Sequence, residues 1–151
     1  AVGGVEVTME EDVELGKYFF KAGETVLLEG EMAYWFLKYR DVTIFDSASD
    51  RLNRQKLYLN SLLYKMIEVV KHDVSIVNHV YEIAKEYMVT DISLEEMAYM
   101  ATTLGVYEFH MEDMYSLEGE TITGELYEEF YVDTQAMYEL ILDVFYVEVK
   151  E

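Results

Sequence analysis

Apolar positions recur along this chain at two different periods. At the start, GGVEVTM sets Val5 and Val7 on one side of a short strand that follows a glycine turn. The next stretch, VELGKYFFKAGETVLLEG, is punctuated by Gly16, Gly23 and Gly30 and reads as turn-rich. Ala33, Phe36 and Leu37 then share one face of a short helix predicted over Glu31 to Tyr39. After a loop, Leu52, Leu59, Leu63, Met66 and Val70 form an apolar stripe at helical spacing, which predicts a long helix from about Asp50 to Lys71. Ile76, Val80, Ile83, Ala84 and Tyr87 mark a further helix from about Val74 to Met88. In SLEE, Ser93 and Glu96 make a capping box that opens a helix burying Leu94, Met97, Ala98, Ala101 and Leu104, with Gly105 as its stop.

Beyond Gly105 the period changes to two. Tyr107, Phe109 and Met111 alternate with Glu108, His110 and Glu112. Ile122, Leu126, Phe130 and Val132 alternate with polar or amphipathic residues. These predict two strands joined as a hairpin around SLEGE, residues 116–120. A last helix, from about Thr134 to Phe145, is expected to bury Ala136, Leu140, Ile141 and Val144. The sum is an α/β or α+β chain, with most helices in the middle and helices packed on a central mixed sheet. Its 151 residues amount to a single domain, and they contain no proline, low-complexity linker or internal repeat.

Composition narrows the function. Apolar residues make up 52% of the chain, which supplies a core despite a net charge of −20. That charge disfavours nucleic acid, whose binders need a broad basic footprint, and it repels anionic membrane surfaces. Without cysteine there is neither a disulfide frame nor thiol chemistry. The longest run free of charge, Met97 to Tyr107, has eleven residues, far short of the ~20 that cross a bilayer. The chain opens at Ala1 directly on a strand-like phrase, so any anchor or export signal is expected upstream. His72, His79 and His110 show no metal spacing, and the adjacent acids Glu95–Glu96, Glu112–Asp113 and Glu128–Glu129 read as solvated faces.

The cations are not spread evenly. Residues 38–56, KYRDVTIFDSASDRLNRQK, hold Lys38, Arg40, Arg51, Arg54 and Lys56, five of the 11 Lys and Arg. The window carries a net charge of +2 while the rest of the chain carries −22. On a helix at about 100° per residue, Arg51 and Gln55 fall on the side of the apolar stripe and Arg54 falls at its flank. A guanidinium at the mouth of an apolar face needs an anion or a set of acceptors. Arginine suits bidentate phosphate contact, and the start of the long helix adds free N–H groups. Two readings are open on the residues alone: an anion site, or structural pairing with Asp41, Asp46, Asp50 and the acidic remainder.

The order of phrases, GGVEVTMEED, LLEGEMAYWFLKYRD, DRLNRQKLYLNSLL, TDISLEEMAYMA and YVDTQAMYELILDVFY, resembles the C-terminal part of the LytR–CpsA–Psr family of cell-wall polymer ligases. The resemblance runs along nearly the whole chain, and Arg-x-x-Arg-Gln after Gly-Gly-Val is its most specific element. It implies a protein at the extracellular face of the bacterial cytoplasmic membrane. Such a protein transfers a phosphate-linked glycopolymer, wall teichoic acid or capsule, from a polyprenyl pyrophosphate carrier to peptidoglycan. The lipid lies in an apolar tunnel, which some of the nine Met and 14 Tyr could line. Arginines and a magnesium ion hold the pyrophosphate.

Carried onto this chain, the resemblance assigns pyrophosphate binding to Lys38, Arg40, Arg51, Arg54 and Gln55, with Arg40 and Arg51 the candidates for catalysis. Either Asp46 or Asp50 stands for the acid that precedes the Arg-x-x-Arg-Gln phrase. Lys38 replaces an arginine, which keeps the charge and loses the bidentate fork. The family's N-terminal segment, with its metal-binding aspartates and central strands, has no counterpart in the sequence, so no Mg2+ ligand is assigned here. The alternative to a ligase is a non-catalytic polyprenyl-phosphate-binding or regulatory module, a cell-envelope attenuator. With few strands for its helices, the chain is expected to expose an apolar patch, covered either by the upstream segment or by a second copy in a homodimer.

Overall fold

Four short strands at the beginning of the chain make the best-buried part of the molecule. The computed structural model describes residues 2–104 and 109–147. Strand β1 (Val5–Thr8) alternates buried and exposed positions, and it pairs antiparallel with β4 (Thr25–Leu28), Val5 opposite Leu28. Between them β2 (Val13–Leu15) and β3 (Tyr18–Phe20) form a tight hairpin around Gly16 and Lys17. Gly16 has a φ of +63°, and an added Cβ there would lie 3.2 Å from the Trp35 ring, so both conformation and space favour glycine. The stretch read as turn-rich is thus three strands of three or four residues, whose alternation of Val13, Glu14 and Leu15 is too short to outweigh the glycines around it.

The core gathers Val5, Val7, Met9, Leu15, Phe20, Leu28 and Phe36. Phe36 comes from α1 (Gly30–Lys38), which lies where Ala33 and Phe36 predict it. Helix α2 (Ser47–His72) runs 26 residues, about 39 Å at 1.5 Å per residue, and begins three residues before its predicted start. It packs on this core through Leu57, Tyr58 and Leu62. The predicted stripe holds over its second half, where Leu63 and Met66 are half-buried and Val70 is buried. Val70 is 7% exposed, whereas Leu52 and Leu59 are 43% and 45% exposed. The helix carries two apolar rows, and the strands of the N-terminal core select the one that periodicity did not favour.

Helices α3 (Ser75–Ala84) and α4 (Leu94–Leu104) pack against α2 and against each other. Helix α3 ends at Ala84, short of the predicted Met88, and leaves Tyr87 exposed. The capping box of α4 forms as predicted: the Ser93 N–H donates to Glu96 Oε2 at 2.8 Å, and the Glu96 N–H donates to Ser93 Oγ at 3.2 Å. Gly105, Tyr107 and Glu108 lie outside the described residues.

The strand predicted over Tyr107 to Met111 is not a strand where it is described. Met111–Asp113 is one turn of 3-10 helix, and the Asp113 carboxylate accepts the His110 N–H at 2.7 Å. This local side-chain bond competes with strand pairing. The C-terminal hairpin is instead β5 (Gly119–Thr123) with β6 (Glu128–Val132), turning at residues 124–127 rather than in SLEGE. Leu126 therefore sits in the turn. Gly119 lies in β5 opposite Val132, and a Cβ there would meet the Tyr131 carbonyl oxygen at 2.3 Å, so the close strand pairing needs glycine at this position. Helix α5 (Thr134–Phe145) has the predicted bounds, and its N-cap Asp133 accepts from the N–H groups of Gln135 and Ala136 at 2.9 and 3.0 Å. It buries none of its residues, and Ile141 and Val144 stay exposed.

The chain is mixed α/β, with five helices and antiparallel strand pairs among the described residues. Those strands form three separate two-stranded pairs, where one central mixed sheet was expected.

Candidate anion-binding cleft

A cleft of about 1190 Å³ opens between the first turns of α2, the loop ahead of it and the β5–β6 hairpin. Local chemistry shapes that loop. The Asp41 carboxylate accepts both the Thr43 hydroxyl, at 2.6 Å, and the Thr43 N–H, at 2.9 Å, and these two bonds hold its pKa below the usual carboxylate range. Asp46 takes the left-handed conformation (φ 57°) at the N-cap of α2. Its Oδ1 accepts from Ser49 Oγ at 2.8 Å and from Thr121 Oγ1 of β5 at 2.9 Å, which ties the hairpin to the helix.

Arg40, Arg51 and Gln55 all line this cleft. Arg40 donates from Nε to the buried Ser47 hydroxyl at 3.0 Å, and its Nη2 pairs with Glu128 Oε2 of β6. Arg51 is half-buried and has no hydrogen bond or ion pair among the described residues. Gln55 donates to the Leu37 carbonyl at 3.0 Å. Apolar groups complete the lining, chiefly Leu52, Leu117 and Phe130.

The other two predicted residues lie elsewhere. Arg54 shares the core-facing row with Tyr58 and Leu62. It donates from Nε to the Phe36 carbonyl at 3.1 Å and from Nη2 to the Tyr39 carbonyl. It borders a separate cavity of about 320 Å³ with Met9, Phe36 and Leu57. Burial pushes its pKa down, as does neighbouring Arg51, while Asp50 and Glu11 act the other way. Arg54 and Gln55 thus serve the last carbonyls of α1, groups that no helix can satisfy internally. Lys38 is exposed at the end of α1 and does not line the cleft. Of the two candidate acids, Asp46 faces the cleft and Asp50 does not.

Sequence reasoning placed Lys56 in the cationic window but missed Glu128 and Thr121 as neighbours of these arginines. Lys56 donates to the Met114 carbonyl at 3.0 Å, and the Asp46 N–H donates to Glu128 Oε1 at 2.9 Å. Nothing in a Glu128–Glu129 doublet marks one acid as inward. Both acids line the cleft, and only the pairing of Glu128 with Arg40, 88 positions away, distinguishes it.

The described residues do not offer magnesium a ligand set. Among the described residues no group of three or more His, Asp or Glu stands together as a ligand set. Both oxygens of Glu128 are engaged, and Oδ1 of Asp46 already accepts two hydroxyls.

Residues 1–142 match the model of the LytR_cpsA_psr family. Two solved structures from B. subtilis share the fold. TagV superposes with a TM-score of 0.70 at 22% identity, covering 97% of this chain and 59% of its own. TagU superposes with a TM-score of 0.61 at 13% identity, covering 99% of this chain and 60% of its own. This chain therefore spans about three-fifths of the length of these structures. No curated protein sequence matches it.

Proposed function

The chain belongs to the LytR_cpsA_psr family, and from that premise we propose that its cleft binds the pyrophosphate of a polyprenyl-linked glycopolymer. The family is associated with the cell envelope, and no helix among the described residues is long and apolar enough to cross a membrane. The observation that carries the reading is Arg51, a half-buried guanidinium lining an open cleft with no protein partner among the described residues. An unpaired cation at an apolar wall is stabilised by an incoming anion. Leu52, Leu117 and Phe130 beside it give an isoprenoid tail an apolar surface.

In this reading the protein works at the extracellular face of the bacterial membrane. It passes a phosphate-linked polymer, teichoic acid or capsule, from its lipid carrier to peptidoglycan. Arg51 and Arg40 hold the pyrophosphate and take up negative charge as the carrier phosphate leaves, the electrostatic share of a phosphoryl transfer. Lys38 and Arg54 act at a distance, Lys38 through its positive field and Arg54 by fixing the end of α1, while Gln55 lines the cleft and ties it to the Leu37 carbonyl. A magnesium ion belongs with carboxylates outside these residues.

A non-catalytic lipid-phosphate-binding or attenuator module is the second reading. It is favoured by the engagement of the cleft carboxylates Glu128 and Asp46 in protein hydrogen bonds. Equilibrium binding of a polyprenyl pyrophosphate tests the shared core of both readings. Arg51→Ala is expected to weaken binding by roughly 1.5–3 kcal/mol, the scale of a charged hydrogen bond. Equal binding by variant and parent would remove the cleft from consideration. Polymer transfer to peptidoglycan by the complete protein, lost in Arg51→Ala, separates ligase from module.

A further inference from the structure

We infer that Glu128 is a built-in anion occupying the place of a ligand phosphate, so that anion binding in the cleft is coupled to release of the β5–β6 hairpin. The inference rests on the reading of the cleft as a pyrophosphate site. One carboxylate oxygen of Glu128 pairs with the Arg40 guanidinium, and the other accepts the Asp46 main-chain N–H at 2.9 Å. A guanidinium together with a main-chain N–H at a helix start is a donor set suited to a phosphate oxygen pair. Glu128 therefore satisfies from within the donors that a ligand would use. Its side chain is 20% exposed and that of Arg40 27%, so water reaches the pair and can assist exchange.

The hairpin that carries Glu128 is held lightly. Strands β5 and β6 pack chiefly on each other. Among the described residues the hairpin's polar ties to α2 and the preceding loop are the two Glu128 contacts and the Thr121–Asp46 bond. Phe130 and Tyr131 remain about half exposed. When a pyrophosphate takes the Arg40 guanidinium and the Asp46 N–H, Glu128 loses both of its partners and faces a second anion across the cleft. Like-charge repulsion then drives the strand away, leaving the single Thr121 bond. The cleft is thereby gated by charge: a strong, multiply charged anion opens it, and a weak one does not displace the internal carboxylate.

The test uses the chain as it stands, with inorganic pyrophosphate as probe and isothermal calorimetry as readout. Glu128→Gln keeps the shape and removes the charge, and it is expected to bind pyrophosphate about tenfold tighter than the parent. Thr121→Val loosens the hairpin without changing charge and is expected to shift affinity far less. Hydrogen exchange of residues 119–132 in the parent is expected to rise when pyrophosphate binds. Binding by the parent with an equal or weaker Glu128→Gln overturns the gate and leaves the pyrophosphate site standing. A Thr121→Val effect as large as that of Glu128→Gln overturns the charge argument. Absence of binding in parent and Glu128→Gln alike, with unchanged hairpin exchange, sinks the site reading and the gate with it.

Discussion

Arg51 and Arg54 stand three positions apart on α2 and do opposite things. Arg54 meets the carbonyls of Phe36 and Tyr39, while Arg51 lines the cleft without a protein partner among the described residues. Their variants should separate accordingly. Arg54→Ala leaves the end of α1 unmet and is expected to lower stability by roughly 1.5–3 kcal/mol, with Arg51→Ala within about 0.5 kcal/mol of the parent in urea unfolding. Loss of stability in Arg51→Ala with none in Arg54→Ala would reverse the roles. The sequence made the cluster legible through its charge segregation and the Arg-x-x-Arg-Gln phrase. It left the division of labour hidden, because α2 has two apolar rows and periodicity does not say which row meets the core. Glu128 was illegible for a related reason: its partner lies 88 positions away.

Elements with local signals were read well, and those that depend on pairing were not. The capping box at Ser93 and the start of α5 at Asp133 need only neighbours within three residues, and both form. The strands β2 and β3 owe their existence to each other, and so does the position of the C-terminal hairpin. The capping box also carries a pH dependence. The Ser93 N–H and then its hydroxyl hold the Glu96 carboxyl below its ordinary pKa. A depressed carboxylate stabilises the folded chain above its unfolded pKa, about 4.3, and that contribution is lost as pH falls through the folded value. The melting temperature of the parent should therefore exceed that of Glu96→Gln at about pH 6, and the gap should narrow and then close as pH falls below the ordinary glutamate range and through the lowered folded value. A gap that persists in acid would show that the ionised carboxylate is not what caps α4.

At the scale of the whole molecule, burial is uneven. The strands β1–β4, α1 and the first half of α2 share one core, whereas β5, β6 and α5 contain no fully buried residue. Phe145, Leu126 and Phe130 are exposed there, and each strand pair leaves outer edges without a further strand among the described residues. Exposed large apolar side chains and open strand edges of this kind are commonly covered in stable proteins. Sedimentation velocity on the isolated chain is expected to show dimers or larger species that grow with concentration, and a monomer at every concentration would show that the exposed groups need no cover. The α/β class was legible from the change of period, but the division of the strands into three pairs was not, since periodicity carries no information on which strand lies beside which.

The most direct measurement follows the arginine side chains themselves. In a chain labelled with 15N-arginine, each Nε–H gives a separate signal that reports on its own acceptor. Titration with farnesyl pyrophosphate, a short and soluble polyprenyl pyrophosphate, is expected to shift Arg51 and Arg40 together and saturably, as Arg51 gains an anion and Arg40 exchanges Glu128 for one. Arg54, committed to the carbonyls of α1, is expected to stay where it is. Movement of Arg54 with Arg51 unchanged, or no movement of any of the three at saturating ligand, would contradict the assignment of the cleft as the pyrophosphate site.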